Sequence, residues 1–287
     1  MAQLSKNWRI EFDDYLKSLV SPQGDAVAPL FDALAYSLCD GGKRLRPWLL
    51  LEFYLLLADD YHKAFPFAAA LEMIHASSLI HDDMPCMDND ALRRGKPTLH
   101  CAKGESVAMV AGDALLNLAY ETMLNNTRGY EAVQPMQTIA ASAGALGVQG
   151  GQYLDTEILN KDADLIFKTY TLKTAKLIEA ACLAGVQLAG GTAEEQKAAS
   201  VFGLNLGIAF QIQDDILDVI GDVALTGKMT GNDEKCQKTT YLSLFGMEVS
   251  EIKVLELLNS AKDALSVFGE KANRLCAFAD QLVSRKM

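Results

Sequence analysis

Apolar positions recur at helical spacing along most of this chain. Ile208, Ile212 and Ile216 fall every four residues, with Leu204 one turn earlier, which predicts a helix with a buried stripe. Leu45 to Ala58 reads as another helix, with Pro47 near its first turn, where proline is tolerated. Phe167 to Leu188 and Glu248 to Phe268 are long enough for extended helices. Convincing period-two strands are absent, and no dipeptide such as Asn-Gly separates two β-like runs. Breaks fall at Ser21-Pro22-Gln23-Gly24, Asp40-Gly41-Gly42, Arg94-Gly95-Lys96-Pro97, Thr127-Arg128-Gly129, Gly150-Gly151, Gly190-Gly191 and Thr226 to Asn232. Their spacing predicts an all-α fold of roughly ten or more helices joined by short loops. No linker is long enough to divide domains, so a single domain over residues 1–287 is expected.

Two aspartate clusters interrupt this apolar pattern. The first is Asp82-Asp83-Met84-Pro85-Cys86-Met87-Asp88, after the apolar run Ala68 to Ile80. The second is Asp214-Asp215-Ile216-Leu217-Asp218, after Val201 to Ile212. An apolar helix ending in unpaired carboxylates is costly unless a cation joins them. Mg²⁺ fits, because it takes hard oxygen ligands while keeping waters and substrate phosphates in its shell. Gln211, Asp214, Asp215 and Asp218 lie at helical offsets that make one polar stripe, about 10 Å long, bordered by Phe210, Ile212, Ile216, Leu217 and Val219. A solvated helix face gives the same offsets, but its carboxylates one turn apart would repel. The first cluster cannot share one helical face, because Pro85 interrupts it. Asp82 and Asp83 are therefore expected on a helix end, with Asp88 returned by a turn. A calcium loop is excluded, since the required glycine and glutamate positions fall on Arg93 and Leu99.

Composition narrows the partners. The chain has 287 residues, half of them hydrophobic, and a formal net charge of −11. Such an acidic chain is a poor binder of nucleic acid or anionic membrane, so an anionic substrate must be drawn in by metal or local basic clusters. One cluster is Lys43, Arg44 and Arg46 after Gly41-Gly42, where a glycine turn and a helix start expose backbone N–H groups to a phosphate. Another is Arg93-Arg94, suited to bidentate phosphate contacts or simply to neutralising Asp88 and Asp90. His75 lies two turns before Asp82 on the same face; an isolated histidine on an apolar helix is more often structural. Six cysteines without a CxxC pair suggest neither zinc nor a disulfide framework and fit a reducing, cytoplasmic setting. No stretch approaches about 18 uninterrupted apolar residues, and the N-terminal residues lack a signal-peptide pattern, so no membrane span is expected.

Taken together, these residues resemble the trans-isoprenyl diphosphate synthases, specifically the short-chain bacterial-type group. The resemblance rests on an ordered set spanning residues 41 to 241: Gly41 to Pro47, His75 to Asp83, Asp88 with Leu92-Arg93-Arg94-Gly95, Gly112-Asp113-Ala114 and Gly150-Gly151-Gln152. It continues through Lys173-Thr174, Phe210-Gln211 with the second aspartates, Gly227-Lys228 and Lys238-Thr239-Thr240-Tyr241. It implies the isoprenoid synthase fold, helices around a central cavity, usually as a homodimer. Asp82, Asp83 and Asp88 would face Asp214, Asp215 and Asp218 across Mg²⁺, about three ions, bridging an allylic diphosphate. Arg93, Lys173 and Lys228 would contact the same diphosphate. Gly42, Lys43, Arg46, His75 and Arg94 would bind isopentenyl diphosphate, with Lys238 also a substrate contact. Gln211, Thr174 and backbone carbonyls would stabilise the forming carbocation. Many relatives carry an acid where this chain has Ala91, a departure that leaves the metal-ligand positions intact.

Within that family the growing prenyl chain runs down the cavity from the first cluster, and the residues just upstream set its depth. Here these are Ser77 and Ser78, small where many farnesyl-forming relatives have an aromatic at the first position. The resemblance thus favours the twenty-carbon product, geranylgeranyl diphosphate, over the fifteen-carbon farnesyl diphosphate. Met73, Ile74 and Tyr120 are the side chains that could close a shorter cavity, and the two serines could instead be plain packing residues. A class I terpene cyclase would not need a second Asp-Asp-x-x-Asp or a Gly-Gly-Lys-Arg-x-Arg site. A non-catalytic synthase subunit would typically have lost one aspartate cluster.

Overall fold

In a computed structural model of the chain, the described residues are 3–22, 24, 26–127, 129, 132–157, 162–220 and 239–283. The architecture is helical, as the spacing predicted. From the N-terminus come α1 (Trp8–Leu19), α2 (Ala28–Leu38), α3 (Leu45–Leu55), a 3₁₀ turn (Tyr61–Ala64) and α4 (Phe65–Asp82). A short hairpin, β1 (Leu92–Arg93) and β2 (Lys96–Pro97), leads to α5 (Leu99–Lys103), α6 (Glu105–Asn126), α7 (Val133–Ala143) and α8 (Val148–Glu157). Then follow α9 (Ala163–Tyr170), a π-helical turn (Thr171–Ala175), α10 (Lys176–Leu188) and α11 (Ala193–Ile220). The chain closes with α12 (Tyr241–Ala264), a 3₁₀ stretch (Leu265–Ala272) and α13 (Asn273–Val283).

Helix α4 is apolar nearly all round, and from Phe65 to Ile74 every residue is buried. A helix without a polar face belongs at the centre of a bundle. It packs against α2, α3 and α6, while α10 lies against α3, α7 and α11, and α12 runs along α11. The stripe Ile208, Ile212 and Ile216 is buried, and Leu204 is half-buried beside it. Helix α6 is long and apolar enough to cross a membrane by length and composition, although Asp113 and Glu121 interrupt its apolar run. Here it lies along α4, with Ala108, Ala111, Leu115, Ala119 and Met123 buried.

Several sequence boundaries move. Gly150 and Gly151 do not break a helix; they lie inside α8. Gly151 is there for close approach, since a Cβ on it would sit 2.1 Å from the Lys173 backbone nitrogen. The stretch Phe167 to Leu188 is helical but divided by the π turn, which re-aims Lys173 and Thr174. The expected helix Glu248 to Phe268 starts earlier, at Tyr241, with a non-helical Gly246, and turns 3₁₀ at Leu265. Helix α3 stops at Leu55 rather than Ala58. The chain does contain a hairpin. Its turn is Arg94-Gly95, both at positive φ, the two-residue geometry that matches strand twist. The proposed break from Thr226 to Asn232 lies outside the described residues.

Candidate active site

The first cluster sits where α4 ends. Asp82 is the last residue of α4 and Asp83 its C-cap. Pro85 stops the helix, and the Asp88 N–H donates back to the Asp82 carbonyl at 2.9 Å. Asp88 therefore returns to the tip, by the kind of turn its sequence required. Asp83 is buried and receives three contacts from Arg93: Nε to Oδ1 at 2.8 Å, Nε to Oδ2 at 2.9 Å and Nη2 to Oδ1 at 2.6 Å. Asp82 is also buried, and its carboxyl is pushed up to about 6. Burial is the largest cause; Asp88 and Asp83 add to it, while Lys173 and Arg93 oppose it.

The hairpin delivers the two arginines in different directions. Arg93, in β1, turns to Asp83. Arg94, with a left-handed backbone, donates instead to the Gly41 carbonyl at 3.0 Å. The hairpin is tied to α2 by Tyr36, whose hydroxyl donates to the Pro97 carbonyl at 2.8 Å, and to the loop after α2 by the Lys96–Asp40 ion pair.

In the basic loop before α3, Gly41 and Gly42 take positive φ, which glycine adopts readily, and Arg44 is a non-glycine held in the left-handed region. Gly42 must be glycine, since φ is 101° and a Cβ would strike the Arg94 guanidinium at 2.8 Å. Lys43 is exposed. Arg44 turns away from the site and is buried, bonded to Glu72 at 2.7 Å, Asp13 at 2.9 Å and the Leu38 carbonyl at 3.0 Å. It is a structural residue. The Nε of Arg46 is buried with no hydrogen-bond partner among the described residues. Burial lowers the pKa of its guanidinium; Glu72 opposes this, Arg94 adds to it and Asp214 opposes it. His75 is held well below its ordinary value, first by burial and then by Arg46, Arg94, Arg93 and Arg44. The four arginines thus act on one buried imidazole, and two of them, Arg93 and Arg94, line a pocket with it beside Asp40, Glu72 and Asp83. A cavity of about 50 Å³ opens there, between α2, α4 and the hairpin.

The second cluster lies on the last turns of α11. Asp214 is exposed, Asp215 buried and Asp218 half-buried. Thr174 donates to Gln211 at 2.8 Å, and the Gln211 amide donates to Asp215 at 3.1 Å. The Tyr170 hydroxyl donates to the other Asp215 oxygen and accepts from the Tyr241 N–H at 3.0 Å. Lys173 donates to Asp155 of α8 at 2.6 Å. Thus the π turn, α8, α11 and the start of α12 meet around Lys173, Thr174, Gln211 and Asp215. Lys173 lowers the pKa of the Asp82 carboxyl, and Asp214 raises that of the Arg46 guanidinium. Lys228 and Lys238 lie outside the described residues. Ser77 is buried, and the Ser78 hydroxyl donates to the His75 carbonyl at 2.9 Å.

Sequence reasoning missed Asp155, Tyr170, Asp13 and Glu72. Glu72 carried a signal: it is the one acid in an otherwise apolar run, which implies a buried cation partner. Asp155 lies three residues after Gln152, on the same side of α8 as the glycine contact. Among the described residues, no three His, Cys, Asp or Glu side chains are gathered as a ready-made metal cage. The donor set still suits Mg²⁺, which binds through one or two carboxylates and substrate phosphates rather than all-protein cages.

The polyprenyl synthetase family pattern matches residues 27–271, and the chain belongs to that family. It is a prenyltransferase with the isoprenoid synthase fold. The geranylgeranyl diphosphate synthase of Cyanophora paradoxa is 44% identical over 272 residues, covering 92% of this chain and 90% of that protein. A solved FPP/GFPP synthase from Zymomonas mobilis superposes with a TM-score of 0.85 at 33% identity, over 96% of this chain and 95% of that one. A geranyltransferase from Helicobacter pylori, complexed with magnesium and isoprenyl diphosphate, gives a TM-score of 0.84 at 30% identity, covering 99% of both chains.

Proposed function

We propose that this protein condenses isopentenyl diphosphate with allylic diphosphates and releases geranylgeranyl diphosphate. The observation that carries the reading is a pair of aspartate clusters at the ends of α4 and α11, the first gripped by Arg93 and influenced by Lys173, which leaves from the turn that bonds the second. The relative from Cyanophora paradoxa and small, buried Ser77 support the twenty-carbon product.

The chain's own residues divide the work. Arg93 and Lys173 would contact the diphosphate that leaves the allylic carbon, exchanging their present partners Asp83 and Asp155 for it. Lys43, Arg46, His75 and Arg94, on the cradle made by Gly42, would hold the second diphosphate, and the unpartnered Arg46 Nε suits an anionic oxygen. Thr174 and Gln211 place oxygen atoms beside the second cluster, where positive charge on the allylic carbon would be stabilised. Asp82, Asp83, Asp88, Asp214 and Asp218 would hold Mg²⁺, with Asp215 held for the same task by Gln211 and Tyr170. Bound there, Mg²⁺ supplies charge neutralisation for the departing diphosphate. No protein nucleophile is needed, because the alkene of the second substrate attacks.

The same reading includes a homodimer. Met109, Val110 and Leu124 leave apolar surface exposed on α6, as a helix does when a partner covers it. Cytoplasmic action suits cysteines that are free among the described residues. The test is chromatography of products from dimethylallyl, geranyl and farnesyl starters, each with isopentenyl diphosphate and Mg²⁺. Geranylgeranyl diphosphate from all three supports the proposal. Accumulation of farnesyl diphosphate alone rejects the product length, and no chain extension rejects the reaction.

A further inference from the structure

The loop from Gly41 to Arg46 has three residues at positive φ, one of them the non-glycine Arg44. Such a backbone persists only where its surroundings over-determine it. Two of its fastenings come from α1, a helix outside the family-matched residues. Arg9 Nη2 donates to the Gly42 carbonyl at 2.7 Å. One turn later, Asp13 accepts from Arg44 Nε at 2.9 Å, and it also lies 3.8 Å from Arg9 Nε. The other side of Arg44 is locked by Glu72 and the Leu38 carbonyl. Helix α1 is itself anchored elsewhere: Glu11 accepts from the Tyr61 hydroxyl at 2.6 Å and sits 3.2 Å from His62 Nε2.

We infer that α1 is a working part of the second-diphosphate site, with Arg9 and Asp13 as positioning residues that set the Gly42–Arg46 cradle. Neither touches substrate in this scheme. Arg9 fixes the Gly42 peptide, which Arg94 also approaches, and Asp13 fixes the turn from which Arg46 projects. The inference rests on the assignment of that cradle to isopentenyl diphosphate. A loosened cradle lowers affinity for that substrate alone, because the aspartate clusters and Lys173 are held by other elements.

The experiment is steady-state kinetics of the full-length protein with each substrate varied in turn, for wild type, Arg9→Ala, Arg9→Lys and Asp13→Asn. Arg9 is half-exposed, so Arg9→Ala removes its bond to Gly42 and its weak, exposed pairing with Asp13 without threatening the core. The expected result is a KM for isopentenyl diphosphate raised about threefold to tenfold in Arg9→Ala, the size of one hydrogen bond. The allylic KM stays at the wild-type value, Arg9→Lys recovers part of the loss, and Asp13→Asn shows a larger rise. Unchanged KM in Arg9→Ala, or equal rises for both substrates, overturns the inference. Failure of the functional reading is seen separately, as a wild-type protein that shows no saturation with isopentenyl diphosphate.

Discussion

Arg93 grips Asp83 through both Nε and Nη2, at 2.6–2.9 Å, with the carboxylate buried beneath it. The arginine thus occupies the carboxylate expected to take metal. Arg93→Ala removes this grip on Asp83 and a cation from the leaving diphosphate at once. The two effects separate experimentally. Calorimetry on the substrate-free protein should show tighter Mg²⁺ binding, and turnover at saturating Mg²⁺ should fall about 100-fold or more, as for other preorganised electrostatic contacts. Weaker metal binding would mean that Arg93 orients Asp83 rather than competing for it.

Asp82 gives a pH dependence. Its folded carboxyl keeps its proton up to about 6, against an ordinary 3.8. Between those values the folded chain binds more protons than the unfolded one, so stability from this group is full below pH about 4. It falls as pH rises through 6, by about 3 kcal/mol at neutral pH. Metal-free protein in chelator should therefore gain thermal stability when Asp82 becomes asparagine at pH 7.5, with the gain vanishing near pH 4. The same variant should lose about 2–4 kcal/mol of barrier lowering in turnover assays. A destabilised Asp82→Asn at neutral pH would contradict the assignment of burial as the main strain on this side chain.

The sequence was most readable where chemistry and periodicity coincide. The end of α4 at Asp82 and the return of Asp88 followed from Pro85 and the offsets of the carboxylates. What stayed hidden depends on partners distant in sequence. Arg44 looked like its basic neighbours Lys43 and Arg46, but Asp13 and Glu72, 31 and 28 residues away, draw it inward. Gly150-Gly151 looked like a break, because the sequence does not reveal that Lys173 packs against the missing Cβ. The π turn had no local signal at all.

Ser77 tests product length. It is buried on α4, five residues before Asp82, on the helix that runs along α6. Ser77→Phe adds an aromatic ring where the growing chain is expected to pass. Products should shorten from twenty carbons toward fifteen, read by chromatography, with the rate of the first condensation retained. An unchanged distribution would make Ser77 a packing residue. The serine is 3% exposed, so overpacking would cost about 1–3 kcal/mol, which a melting curve measures independently.

Gly151 tests whether the π turn matters to catalysis. A Cβ there would lie 2.1 Å from Lys173 N and 2.4 Å from Lys173 Cα, both backbone atoms that no rotamer change can move. Gly151→Ala must therefore push α8 away from the π turn or shift the turn itself. Lys173 would leave Asp155, and Thr174 would lose its 2.8 Å bond to Gln211, since both leave from the same turn. Helix propensity alone would favour alanine by about 1 kcal/mol, so the sign of the effect is informative. Steric displacement predicts a lower melting temperature and turnover reduced at least about tenfold, since misplacing catalytic groups by about 1 Å costs far more than it does in a surface helix. The double mutant is the stricter check. If the clash acts through Lys173, adding Lys173→Ala to Gly151→Ala should cost little further turnover, whereas independent effects would multiply.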